Sequence, residues 1–295
     1  MSVCKKNYDS IDLLKFILSF LVVAIHFDPF GIESLRQPLL MLPVPLFFII
    51  SGFLFFRSPF LDGNRLYRFV LRNLKLYAAY LVLFLPYYAR IWWNDWFSKG
   101  ILYGMKKLFL KFLFGSTFRS SWFIIALVIG VIIVYYLSKI RIKHLPLVVG
   151  GVFYFACMLQ ICYGNLFSGD SLLNRLVDFY PGTIYQGFPI AVFWVAVGKL
   201  IADYEQYFLG FRTKKKILLT VISCVLLVGE YVLVTLLGFN YTSGYCIMQI
   251  PVCIMIFILT LGLDLEVKNA RFFEGNQYCY VLCAYNVRGN IDCYF

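Results

Sequence analysis

The sequence predicts an all-α fold, a polytopic bundle of transmembrane helices, and three observations carry that prediction. Apolar residues make up 61% of the 295, charged residues only 14%, and mean hydropathy is +0.79. A soluble domain of that composition would need an implausibly apolar surface. Apolar stretches recur along the chain that approach or exceed the roughly 17–25 residues required to cross a bilayer as a helix. Basic residues, finally, gather in alternate connections between those stretches, as they do where a chain threads a membrane repeatedly.

In chain order the stretches are residues 11–27, 43–56, 76–93, 122–137, 145–163, 187–202, 217–239 and 246–263, with an incomplete ninth beginning near Gln277. About eight to nine spans are therefore expected. The first is not a signal peptide, because no small-residue cleavage site follows it and Asp28-Pro29 comes directly after. A cytoplasmic amino terminus places inside Lys5 and Lys6, residues 57–75, 139–143 and 212–216, and Lys268 with Arg271. Residues 99–119 are the exception, since they carry five basic residues on the outer side. Leu102, Met105, Leu108, Phe109 and Phe112 recur there at helical spacing, which predicts an interfacial helix. With no repeat, low-complexity tract or long linker, residues 1–276 read as one membrane domain and 277–295 as an atypical, incomplete terminal span.

The first stretch holds the strongest candidate site. Lys15 and His26 are eleven residues apart, which on a helix is a return to nearly the same face about 16 Å further along. Asp12 and Ser19 fall within about 60° of that direction. Polar groups are costly at membrane depth and usually face a bundle interior or a wet cavity, so this stripe reads as functional. Glu230, within VISCVLLVGEYVLVTLL, is a second intramembrane charge, a functional or a paired residue, at a height similar to His26.

Other features point to less. Cys157, Cys162, Cys224 and Cys253 lie in apolar spans, no CxxC pair exists, and only two histidines are present, so the cysteines read as small core residues and no metal site is expected. His144 has no polar stripe around it and reads as interfacial. The net charge of +12 reports membrane anchoring, with no nucleic acid required.

Four further segments follow the histidine in order: LPVPLFFIISGFLFFR (residues 42–57), RLYRFVLRNLKLYAAY (65–80), SSWFIIALVIG (120–130) and FPIAVFWVAVGKLIAD (188–203). A basic residue three turns before His, an FF-x-x-SGF segment, a basic run and a Trp-Phe helix start resemble the acyltransferase 3 family of integral-membrane O-acyltransferases. The resemblance covers about residues 8–205, and the family more often has Arg where this chain has Lys15. It implies transfer of an acyl group, most often acetyl from acetyl-CoA, to a hydroxyl of a bacterial cell-surface glycan or its lipid-linked precursor. Acyl-CoA is then a substrate, and no bound cofactor is expected.

Within that frame His26 suits a general base, taking a proton from the attacking hydroxyl and returning it to the leaving thiolate. A covalent acyl-histidine is the other route. Lys15 would guard the donor entrance. Glu230, which the family motifs do not explain, could orient the imidazole from its similar height. Arg65, Arg68, Arg72 and Lys75 are spaced by three, four and three and share one helix face, which suits coenzyme A phosphates and equally suits anionic membrane lipid. Ser51-Gly52 matches the SGF element but reads first as a helix-packing pair. Trp122 reads as an interfacial aromatic that the resemblance makes a wall of the acceptor cleft.

The end of the chain departs from the family. Members usually have ten spans and a Tyr followed shortly by His near the last helix end, whereas this chain closes with EGNQYCYVLCAYNVRGNIDCYF. The expectation is a truncated or altered terminal span that leaves activity of this polypeptide open. Two alternatives stand beside acyl transfer. One is the membrane half of a serine racemase-type protein. The other is a transporter or flippase of a small polar or lipid-linked molecule, for which broken helices in two symmetric halves would be the marker.

Overall fold

Each of the eight apolar stretches forms an α-helix. The structure is a computed structural model that describes residues 9–27, 41–58, 61–114, 122–163, 187–238 and 245–263. The helices are α1 (Asp9–Phe27), α2 (Pro43–Phe56), α3 (Gly63–Asp95), α4 (Ile101–Phe114), α5 (Trp122–Lys139), α6 (Leu145–Ile161), α7 (Phe188–Asp203), α8 (Glu205–Leu209), α9 (Thr213–Leu236) and α10 (Gln249–Leu261). A 3₁₀ turn, Phe97–Lys99, joins α3 to α4, and no strand occurs among the described residues. Among the described residues, three helical segments are long and apolar enough to cross a membrane: Gly63–Lys99, Trp122–Lys139 and Thr213–Leu236. Helices α2, α6 and α10 are shorter but equally apolar. The ninth stretch near Gln277 lies outside the described residues.

Helix α3 joins two features that hydropathy separates. The basic run and the third span form one helix of 33 residues, about 50 Å long. Asp62 starts it, its carboxylate accepting from the Arg65 backbone N–H at 2.8 Å. Arg, Leu and Lys are good helix formers, so the backbone continues where hydropathy dips. Pro86 sits inside the helix, a residue that membrane helices tolerate better than soluble ones do. The predicted interfacial helix is α4, whose Phe112 meets Tyr77 of α3 edge to face at 5.4 Å.

The chain falls into two compact units. In the unit formed by residues 51–202, α7 is the central element, buried continuously from Pro189 to Gly198. A helix that is apolar all round needs partners on every side. Two glycines bring them close. A Cβ on Gly52 of α2 would lie 2.5 Å from the Val195 carbonyl oxygen, and one on Gly150 of α6 would lie 2.7 Å from the Phe193 Cα. Any side chain there would meet α7 backbone, which cannot rotate away. The packing role expected of Ser51-Gly52 thus belongs to Gly52, the usual use of small residues between membrane helices. Tyr154 of α6 completes the contact, stacked on Phe193 at 4.6 Å and edge-on to Trp194 at 5.3 Å.

The other unit comprises residues 1–50 and 203–295. Its framework is an antiparallel pair, α9 and α10. Lys216, Ser223, Leu227 and Val234 are the buried residues of α9, and with Glu230 they form a single seam about 60° wide. At one end of that seam the two carboxylate oxygens of Glu230 accept the backbone N–H groups of Ile247 and Met248, at 2.9 and 2.8 Å, where α10 begins. At the other end the Lys216 ammonium lies against Gly262, where α10 ends, and donates to the Leu209 carbonyl of α8 at 3.3 Å. Opposite charges at the two termini of α10 complement its dipole, and Glu230 also gives acceptors to the N–H groups where the helix starts. Helix α1 packs against α10 in the same unit.

Candidate functional site

The polar stripe of α1 is already paired along its lower part. The Lys15 ammonium donates to Asp12 at 2.7 Å, with both side chains mostly buried, and the Ser19 hydroxyl donates back to the Lys15 carbonyl at 2.9 Å. Lys15 therefore presents an ion pair to its surroundings. Ser19 is buried, its hydroxyl satisfied by the preceding turn as is usual for serine in an apolar helix. The backbone of α1 runs unbroken through residue 26, which keeps the helical register between Lys15 and His26. The His26 side chain lies outside the described residues.

Glu230 has partners that sequence could not supply, because they come from residues 17 and 18 positions later. Beside it Gln249, also buried, donates from Nε2 to the Met41 carbonyl at 3.1 Å and ties the start of α10 to the turn that precedes α2. If α1 and α2 each cross the bilayer, the end of α1 and the start of α2 share one side. Met41, Gln249 and Glu230 are then at the His26 end of this unit.

The basic stripe of α3 divides in two. Arg65 grips the last turn of α2, Nε donating to the Phe55 carbonyl at 3.0 Å and an Nη to that of Leu54 at 2.9 Å, with the guanidinium 5.3 Å from the Phe55 ring centre. It closes two carbonyls that a helix terminus leaves open. Arg68, Arg72 and Lys75 are exposed. Arg68 donates to the Asn64 carbonyl at 3.3 Å, and Arg72 lies 5.9 Å from the Phe69 ring centre. These three share a face roughly 150° round from the buried residues Leu66, Asn73, Tyr77 and Tyr80. A three-cation surface thus remains for a polyanion.

Of the remaining candidates, Ser51 is half-buried in α2 and Trp122 is buried at the first position of α5, edge-on to Phe123 at 6.4 Å. His144 is exposed and begins α6 in a left-handed conformation, φ 59°, which histidine adopts more readily than most residues. The described cysteines are free thiols, with Cys157, Cys162, Cys246 and Cys253 buried. Lys15, His26 and Glu230 belong to one unit; the α3 cations, Ser51 and Trp122 belong to the other.

A sequence model of the acyltransferase 3 family, described as an acyltransferase domain, matches residues 8–282. The chain belongs to that family. Among curated proteins it is similar to an amino-acid racemase of Enterococcus faecalis, 23% identical over 211 residues. That alignment takes in 67% of this chain and 28% of the racemase, so the chain spans less than a third of that relative's length. No solved structure matches. Membership and the apolar helices together make this a membrane protein of an acyltransferase family.

Proposed function

We propose that this acyltransferase 3 protein moves an acetyl or similar acyl group from acyl-CoA to a hydroxyl of a cell-surface glycan or its lipid-linked precursor. The observation that carries the proposal is the family match over residues 8–282, joined to a single helix that holds Lys15 and His26 in register. His26 acts as general base on the acceptor hydroxyl, and the protonated imidazole then serves the departing thiolate. Lys15, held by Asp12, lines the donor path lower on the same face. Glu230 fixes the α9–α10 pair at the His26 end and acts on the ring from that fixed position. Ser51 and Trp122 border the acceptor. Arg68, Arg72 and Lys75 take the coenzyme A phosphates through charge-assisted hydrogen bonds. Arg65, engaged with α2, is left to support them.

This arrangement puts the amino terminus and the start of α3 in the cytoplasm, where acyl-CoA is found. A cysteine at Asn64, an exposed residue in the first turn of α3, should escape an impermeant thiol reagent in intact cells and react once the membrane is opened. Full labelling of intact cells would reverse the orientation.

The donor site is tested by changing Arg68 and Arg72 together to Gln. Loss of two phosphate contacts should raise the donor KM by at least about tenfold while the acceptor KM stays constant. Were these residues only lipid anchors, the variant would insert poorly and the protein that did fold would keep its donor KM. Acetyl-CoA binding in detergent free of anionic lipid separates the two outcomes.

A further inference from the structure

Away from these cations, a groove of about 330 Å³ opens between the first turns of α3 and the last turns of α5. Its floor is apolar, formed by Leu66, Val70 and Ile132, and its walls are Tyr67, Tyr135 and Tyr136. The Tyr135 hydroxyl is buried and makes no well-formed hydrogen bond among the described residues, with the Lys139 ammonium as its electrostatic partner. Lys139 stands at the rim with its ammonium over the ring faces, 4.4 Å from the Tyr135 centre and 5.8 Å from that of Tyr136. Among the described residues no acidic side chain lines the groove. It offers an apolar trough walled by tyrosines and one positive charge at its rim.

We infer that this groove is a phospholipid site, holding one acyl chain against Leu66, Val70 and Ile132 and a phosphodiester at the Lys139 ammonium on its rim. Three observations favour a lipid over a soluble anion. Tyr67 and Tyr136 are 65% and 59% exposed on either side of the mouth, as tyrosines are at the headgroup level of a membrane. The exposed Arg141 and Lys143 follow α5 directly and mark the same level. The α3 residues of the groove, centred on Leu66 and Val70, lie on roughly the opposite side of the helix from Arg68, Arg72 and Lys75, so the groove is separate from the proposed donor site and does not depend on it. An ammonium at the rim, with no carboxylate among the described lining residues, favours a lipid of net negative charge.

Native mass spectrometry of the delipidated full chain in detergent, titrated with dioleoylphosphatidylglycerol, tests the site. One lipid should be retained well above the rest, and more tightly than dioleoylphosphatidylcholine. Lys139→Gln should weaken it about tenfold, the usual size of one charge-assisted contact, and Ile132→Trp should remove it by filling the trough. Lys215→Gln, which takes a surface lysine from the other unit, should leave it unchanged. If Ile132→Trp does not fold, Val70→Trp, which fills the same trough from α3, carries the same expectation. Equal retention in wild type and groove variants, equal loss in Lys215→Gln, or displacement of the lipid by free coenzyme A would each overturn the assignment.

Discussion

His26→Ala should lower acyl transfer by a factor of about 10² to 10⁴, the range lost when a general base is removed, while the protein still inserts and folds. In α1 alanine is the better helix former, and the substitution removes no backbone bond. What is lost is the group that takes the proton as the hydroxyl attacks. The comparison requires equal amounts of wild type and variant by size-exclusion chromatography. A rate within a few fold of wild type would remove His26 from the chemistry and leave the polar stripe as a packing feature.

Glu230→Ala should destabilise the protein by about 1–3 kcal/mol, since two N–H groups at the start of α10 lose their acceptor and the helix loses a favourable charge at its positive end. Glu230→Gln retains one oxygen as acceptor but sets an NH₂ against the second N–H, so it should recover only part of the loss. Thermal unfolding in detergent measures both. A melting temperature that does not move in Glu230→Ala, with activity nonetheless abolished, would show that the carboxylate serves the reaction directly and its hold on α10 is incidental.

The two residues illustrate what the sequence discloses. Spans were legible because burial in lipid imposes an apolar run on each of them, and α5 begins at Trp122 as hydropathy indicates. The union of the basic run with the third span was not, because hydropathy falls at Arg65, Arg68, Arg72 and Lys75 while the helix propensity that continues the backbone does not. Helix α8 is five residues long and carries no periodic signal. In the site, the shared face of Lys15 and Ser19 follows from 100° per residue. The partners of Glu230, Arg65 and Lys216 do not. Each reaches a helix terminus supplied by a different segment, and backbone N–H and carbonyl groups leave no trace in residue identity. Lys216 is the clearest instance. Its place in the run at residues 212–216 suggests a solvated anchor, yet it is buried against the end of α10.

Release of free coenzyme A from acetyl-CoA by the purified protein in detergent, with and without glycan acceptors, bears most directly on acyl transfer through His26. Wild type should cleave the thioester above the uncatalysed rate, faster when an acceptor hydroxyl is supplied, and His26→Ala should fall to background. Cleavage at the same rate in wild type and His26→Ala, or none in wild type despite demonstrated acetyl-CoA binding and a panel of acceptors, would contradict the account.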